Sequence, residues 1–332
     1  MTPHLLEFIN FSAKIGSDKN LVQGGGGNTS FKIENNIWIK ASGFKLADAI
    51  KKNIFVKLNL EKAFIDIANN DAKYALSLNE KCTLKPSIET AFHVLISRKV
   101  VIHLHSLNTI KWAVLKEGKK RISNLLNGLN WSWVGYAKPG FDLAELIKQE
   151  GTKDIYILQN HGLILTGDSI DQVDSLLNLV EKRLYVKSDF DFKQTTPSNS
   201  NIYFKGWSFL NFPEINYLAT NPKAMRIFTG GILYPDQVVY LGSYFKVVDL
   251  KTKIEDIQKE LDSYKDTNFV IVKNVGLLLK KSISDVEIEM LRCSANLISK
   301  IQESEEVNYL SESQIYCLVN WDQEKYRKKL LN

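Results

Sequence analysis

Five histidines occur in the 332-residue chain, and two of them stand two apart in Val100-Val101-Ile102-His103-Leu104-His105-Ser106. The β-branched, apolar run reads as a buried strand, whose period of two turns both imidazoles to one face. Two imidazoles on one rigid element can fill two coordination positions of a divalent metal. A third, His161, follows a second apolar run in Leu158-Gln159-Asn160-His161-Gly162-Leu163, at a polar corner backed by glycine. Glu89, in Pro86-Ser87-Ile88-Glu89 at the opening of a helical stretch, can bring a carboxylate to the same place. Three histidines and an acid, with one position left for substrate, would make a catalytic zinc site. Each histidine taken singly also reads as a satisfied core or surface residue, and spacing alone leaves both readings open.

The elements around these residues can be placed from the sequence. Gly24 to Gly27 runs into Asn28-Thr29-Ser30-Phe31-Lys32-Ile33, a loop leading into a strand. Consecutive glycines allow positive φ and let backbone N–H groups approach an anion closely. The stretch is neither a Walker loop nor a dinucleotide fingerprint, and a tight hairpin turn explains the same residues. Pro86 sets up a helix start, with Ser87 suited to the N-cap and Glu89 in the first turn, where the helix dipole alone would favour a carboxylate. His93, one turn beyond Glu89, has apolar neighbours in Phe92, Val94 and Leu95, and is expected to pack between helix and sheet.

Five blocks, Gly-Gly-Gly-Asn-Thr-Ser (25 to 30), Ile-Lys-Ala-Ser-Gly (39 to 43), Pro-Ser-Ile-Glu-Thr (86 to 90), His-Leu-His-Ser (103 to 106) and Asn-His-Gly-Leu (160 to 163), together resemble the class II aldolase/adducin family, in the family's order. The resemblance implies a three-layer α/β/α domain on a largely antiparallel sheet. It implies Zn2+, or another divalent metal, on His103, His105 and His161, with Glu89 as the acid/base. The implied reaction is retro-aldol cleavage of a hydroxy ketone, a ketose phosphate or a related sugar or sugar acid, through a zinc-stabilised enediolate. Asn28 beside Gly27, the Ser42-Gly43 turn and Ser87 correspond to the family's phosphate-holding residues. A homo-oligomer, commonly a symmetric tetramer, is implied as well. Its second acid would be a neighbouring subunit's tyrosine, which cannot be assigned among the thirteen present.

The match has one departure, and the family has more than one activity. Sugar-phosphate aldolases typically carry two serines before the catalytic acid, whereas Ser87 is followed here by Ile88. Lys40 and Lys45 are placed to compensate, although each also reads as a solvated lysine. Pentulose-phosphate 4-epimerases, decarboxylases and dehydratases use the same three histidines, and epimerases commonly have Asp where this chain has Glu89. A non-catalytic, adducin-like interaction protein is the alternative of another class, whose signature would be loss of the histidines. A fused dehydrogenase is disfavoured, because residues 202–332 hold no glycine-rich dinucleotide turn.

Composition bounds the rest. A chain of 332 residues exceeds the size at which one core keeps growing. The net charge of +6 is dispersed rather than gathered on one face, which argues against nucleic acid as a partner. Cys82, Cys293 and Cys317 are few and far apart, as in a reducing compartment, and no apolar run reaches membrane-spanning length; a cytoplasmic protein is expected. Helices are expected over 4–15, 109–116 and 169–185, and strands over 130–136 and 154–158. The polar stretch 188–201 is read as a linker between a catalytic domain, 1–187, and a C-terminal α/β lobe, 202–332. That lobe contains a weak internal echo, since Phe269 to Leu279 resembles Tyr156 to Leu165 with Val275 in the place of His161. A degenerate repeat that has lost its chemistry and two convergent strand–helix units both account for it. The terminal run from Trp321 reads as a solvated helix end.

Overall fold

The first helix begins where the sequence supplies a cap and a proline: the Thr2 side chain accepts from the Leu5 amide, and Pro3 opens α1 (Pro3–Ser17). The computed structural model describes residues 2–69, 84–192, 202–251 and 253–322; Cys82, most of the expected linker and the end of the terminal run lie outside them. The described chain separates into two compact units, one running through Tyr185 and joined by Trp321, the other Val186–Asn320.

The first unit is built on seven strands, β1 (Asn28–Ile33), β2 (Asn36–Lys40), β3 (Phe55–Asn59), β4 (Val100–Leu104), β5 (Trp131–Val134), β6 (Ile155–Leu158) and β7 (Gly162–Gly167). Their spatial order is β3-β2-β1-β4-β7-β6-β5, and only β5 and β6 run parallel. Six further helices cover the sheet: α2 (Leu60–Ala68), α3 (Thr90–Leu95), α4 (Leu107–Ala113), α5 (Gly118–Leu125), α6 (Phe141–Gln149) and α7 (Ile170–Leu184). Buried side chains of α1, α5 and α7 form one core with the sheet, and those of α2, α3 and α6 form another on the opposite face. The result is a three-layer α/β/α arrangement around a largely antiparallel sheet.

The alternation of β4 decides where the chemistry can go. Val100, Ile102 and Leu104 join the core of α1 and α7, whereas Val101 joins that of α3. His103 therefore faces α3, on the side of Val101.

In the second unit, four strands, β8 (Trp207–Phe209), β9 (Val247–Val248), β10 (Phe269–Val272) and β11 (Gly276–Lys280), pair in the order β8-β11-β10-β9. Helices α8 (Pro213–Thr220), α9 (Pro222–Thr229), α10 (Pro235–Leu241), α11 (Ile254–Ser263), α12 (Asp285–Ser299) and α13 (Glu312–Val319) complete it. The order and pairing senses reproduce those of β4-β7-β6-β5, including a parallel last pair. Single hydrogen bonds recur as well. Asn160 N donates to Ala113 O as Asn274 N does to Ala219 O, Gln159 N to Val134 O as Lys273 N to Val248 O, and Thr166 N to Asp154 O as Lys280 N to Asn268 O. The echo in the sequence is thus a repeat of the β4–α7 half of the first unit. By register, Phe209 stands where His103 does and Val275 where His161 does.

The first part of the expected linker is packed rather than extended. Asp189 accepts from Lys223 Nζ at 2.9 Å, and the Phe190 ring lies 4.4 Å from that of Tyr217.

Candidate active site

His103, His105 and His161 are buried together, with one ligand atom of each within 4.8 Å of the others. Strand pairing sets the first of them: His103 sits opposite Asn28 on β1 and Ile164 on β7. Its Nδ1 lies 3.1 Å from the Leu163 carbonyl, which can only accept. The ring proton is therefore on Nδ1, and the Nε2 lone pair points into the cluster. His105 Nε2 is 3.2 Å from His103 Nε2, so the two rings converge on one point. His161 comes from the corner between β6 and β7, where Asn160 takes a left-handed conformation, φ 51°, to turn the chain. Gly162 lets that corner close on β4, since a Cβ there would stand 2.4 Å from the Leu104 carbonyl. Among the described residues this is the one group of three such side chains fit to hold a metal ion. Three inward-facing imidazoles, one fixed in its ligating tautomer, suit a divalent cation of the zinc type.

Glu89 meets this cluster, although not by the expected route. Ser87 was to cap a helix with Glu89 in its first turn; instead α3 begins at Thr90 and Glu89 itself occupies the N-cap position, without a capping side-chain bond. The cause lies upstream. Pro86 bridges Ala41, and Ser87 N donates to Lys40 O, so the chain stays paired beside β2 through Ser87 and turns helical only afterwards. Glu89 is thereby aimed at the histidines rather than at the helix dipole: Oε2 is 3.5 Å from His103 Nε2 and Oε1 is 3.6 Å from His161 Nε2. Burial raises its pKa, but positive charge at the facing imidazoles, carried there by a proton or by a bound cation, and a hydrogen bond from Asn28 outweigh this and hold the carboxyl below its usual range.

The residues expected to hold phosphate fall into two groups. Asn28 and Ser87 stand in the site: Asn28 Nδ2 donates to Glu89 Oε2 at 2.8 Å and to Ser87 Oγ at 3.1 Å. Ser87 Oγ also accepts from Glu89 N at 3.3 Å, which leaves its own proton to donate to a ligand. Ser42 and Gly43 form the turn after β2, joined to the Pro86 segment through Ser42 N and Lys85 O. Gly27, with φ 62°, allows β1 to close on β4, because a Cβ there would lie 2.9 Å from the His103 carbonyl. Lys40 is not the solvated lysine its strand position allowed: it is buried, and its Nζ donates to the Gly25 carbonyl at 3.2 Å.

His93 does more than fill space between helix and sheet. It is fully buried; Nδ1 is 2.8 Å from Ser30 Oγ, and Nε2 is hydrogen-bonded to Asn28 Oδ1. Burial keeps its pKa well below the usual range, so the ring is neutral. The sequence carried only part of this signal, in that Asn28 and Ser30 share a strand face and His93 lies one helical turn after Glu89.

Comparison with known proteins bears on the same part of the chain. The model of the Class II Aldolase and Adducin N-terminal domain matches residues 7–186. The chain is 27% identical over 176 residues to an L-fuculose phosphate aldolase of Methanococcus maripaludis, covering 51% of this chain and 87% of that protein. It is 28% identical over 183 residues to an uncharacterized oxidoreductase of Bacillus subtilis, covering 49% of this chain and 26% of that relative's length. Among solved structures, the N-terminal class II aldolase domain of a conserved protein from Thermoplasma acidophilum superposes with a TM-score of 0.47 at 26% identity, covering 53% of this chain and 89% of that one.

Proposed function

Since the chain belongs to the class II aldolase and adducin family through residues 7–186, we propose that it is a metal-dependent aldolase that cleaves a hydroxy ketone, with zinc as the resident metal. The observation that carries this reading is the Glu89 carboxylate, held by Asn28 within 3.6 Å of two of the three clustered histidines. His103, His105 and His161 would hold the cation. When bound, it supplies Lewis-acid stabilisation of the negative charge that develops on the substrate oxygens as the carbon–carbon bond breaks.

The chain's own residues supply the rest. Glu89, ionised at neutral pH and buried, takes up the proton that the substrate hydroxyl releases as the carbon–carbon bond breaks and delivers it to the carbon left beside the carbonyl, and does the reverse in the aldol direction. Asn28 keeps the carboxylate from rotating, and the Leu163 carbonyl keeps His103 in its ligating tautomer. Ser87, the Ser42-Gly43 turn and the glycine loop beside Asn28 offer hydroxyl and backbone donors to an anionic group on the substrate. Burial of the whole set excludes water from the forming carbanion.

Elemental analysis of protein purified without added metal tests the reading, together with a screen of ketose phosphates for aldehyde release that starts from L-fuculose 1-phosphate. About one zinc per chain, its loss in His103→Ala/His105→Ala, and release of an aldehyde are expected. Epimerised or dehydrated product without aldehyde would move the chain to another activity, and failure to take up zinc, cobalt or manganese would end the metalloenzyme reading.

A further inference from the structure

The Asn28 amide imposes an order on the hydrogen bonds behind Glu89. Its Nδ2 donates to Glu89 Oε2 at 2.8 Å and to Ser87 Oγ at 3.1 Å. The amide oxygen then faces His93 Nε2, which must carry the proton. With Nε2 protonated on a neutral ring, Nδ1 is an acceptor, and Ser30 Oγ has to donate to it. The chain of donors therefore runs one way, from Ser30 through His93 and Asn28 to Glu89 Oε2. The opposite tautomer would set a bare nitrogen against the Asn28 carbonyl, or turn that carbonyl onto the carboxylate. All four side chains are buried. No water-facing rotamer relieves such a mismatch.

The two carboxylate oxygens are left unequal. Oε2 is committed to Asn28, whereas Oε1 has no hydrogen-bond partner among the described residues and stands 3.6 Å from His161 Nε2. We infer that His93, with its proton on Nε2, is a positioning residue that fixes the Asn28 amide so that Glu89 exchanges the substrate proton through Oε1. Ser30 fixes the tautomer of His93 in turn. The assignment deepens the aldolase reading and rests on it for the identity of the proton transferred. The tautomer and the direction of the bonds do not depend on that reading.

The test has two arms. The first takes nitrogen NMR spectra of 15N-histidine-labelled full-length protein, metal-free and zinc-loaded, with the His93 ring assigned by its absence in His93→Gln. A neutral ring protonated on Nε2 in both states is expected, and a ring protonated on Nδ1 or on both nitrogens would overturn the relay. The second arm uses the substrate found by aldehyde release. His93→Phe, which keeps the ring volume but has no donor, is expected to lower kcat about tenfold with KM and zinc content unchanged, and to melt at a lower temperature because the buried Asn28 Oδ1 and Ser30 Oγ lose their partner. His93→Gln, which places an amide N–H near the original Nε2, is expected to recover most of kcat. Full activity in the Phe variant, or a Gln variant as slow as Phe although folded and zinc-loaded, would overturn the positioning role. If the Phe variant does not fold, the Gln variant and the ring spectrum still decide. Finding no aldol substrate would sink the proposed function and leave the spectrum to judge the relay.

Discussion

Lys32 shows how one buried group ties this fold to pH. It lies on β1, on the strand face it shares with Asn28 and Ser30, its Nζ donates to the carbonyls of Ile96 and Arg98, and burial lowers its pKa from 10.5 to about 7. Below about pH 7 the amine is charged in both the folded and unfolded chains, and the cost of burying it is constant. Between about 7 and 10.5 only the unfolded chain holds the proton, so stability rises with pH, by about 1.4 kcal/mol per unit at most. Lys32→Met is expected to flatten that slope, as measured by urea midpoints between pH 7 and 10. A slope unchanged in the variant would place the titration elsewhere. At this scale the clustering of His103, His105 and His161 was legible in the sequence, because a strand period of two and a small number of histidines narrow the choice. The relay through His93 was not, although its members were all visible. Recognising it needs the β1–β4 register and the place where α3 begins, neither of which local periodicity contains.

Among the elements, the β6–β7 corner and its copy at β10–β11 provide a control for each other. Asn160 and Asn274 both turn the chain in the left-handed region, φ 51° and 61°, but only the first corner is followed by a histidine of the cluster. Replacing either with alanine forces a Cβ-bearing residue without local side-chain support into that conformation, at about 1–2 kcal/mol. Both Asn160→Ala and Asn274→Ala are therefore expected to be destabilised by similar amounts in denaturant titrations. Only Asn160→Ala is expected to weaken zinc binding as well, by about tenfold in competition with a chromogenic chelator. Equal zinc affinities would show that the corner does not position His161. The start of α3 teaches the complementary lesson. Pro86 and Ser87 carry good helix-start chemistry, yet their pairing with Ala41 and Lys40 takes precedence, and a tertiary contact across 45 residues or so is invisible to a local cap signal. A helix bounded by its own cap, α7 behind Ser169, fell where its sequence placed it.

For the whole molecule, the repeat separates the fold from its chemistry. The second unit keeps the strand order, the parallel last pair and individual backbone hydrogen bonds of the β4–α7 half, while Phe209 and Val275 occupy the places of two of the three clustered histidines. Apolar side chains at those positions cannot ligate, and each unit has its own core. We expect the two units to respond differently to metal. A ligand that binds only the folded first unit stabilises that unit by mass action, by about 2.7 kcal/mol when free zinc is a hundredfold above its dissociation constant. In denaturant titrations followed by site-placed fluorophores, one on α7 and one on α12, zinc is expected to raise the midpoint at α7 and leave that at α12 in place. Chelator is expected to reverse the shift, and His103→Ala/His105→Ala to abolish it. Equal movement of both midpoints would mean that the units unfold together, so that metal bound by one stabilises both. A shift confined to α12 would contradict the assignment of the metal centre to the first unit.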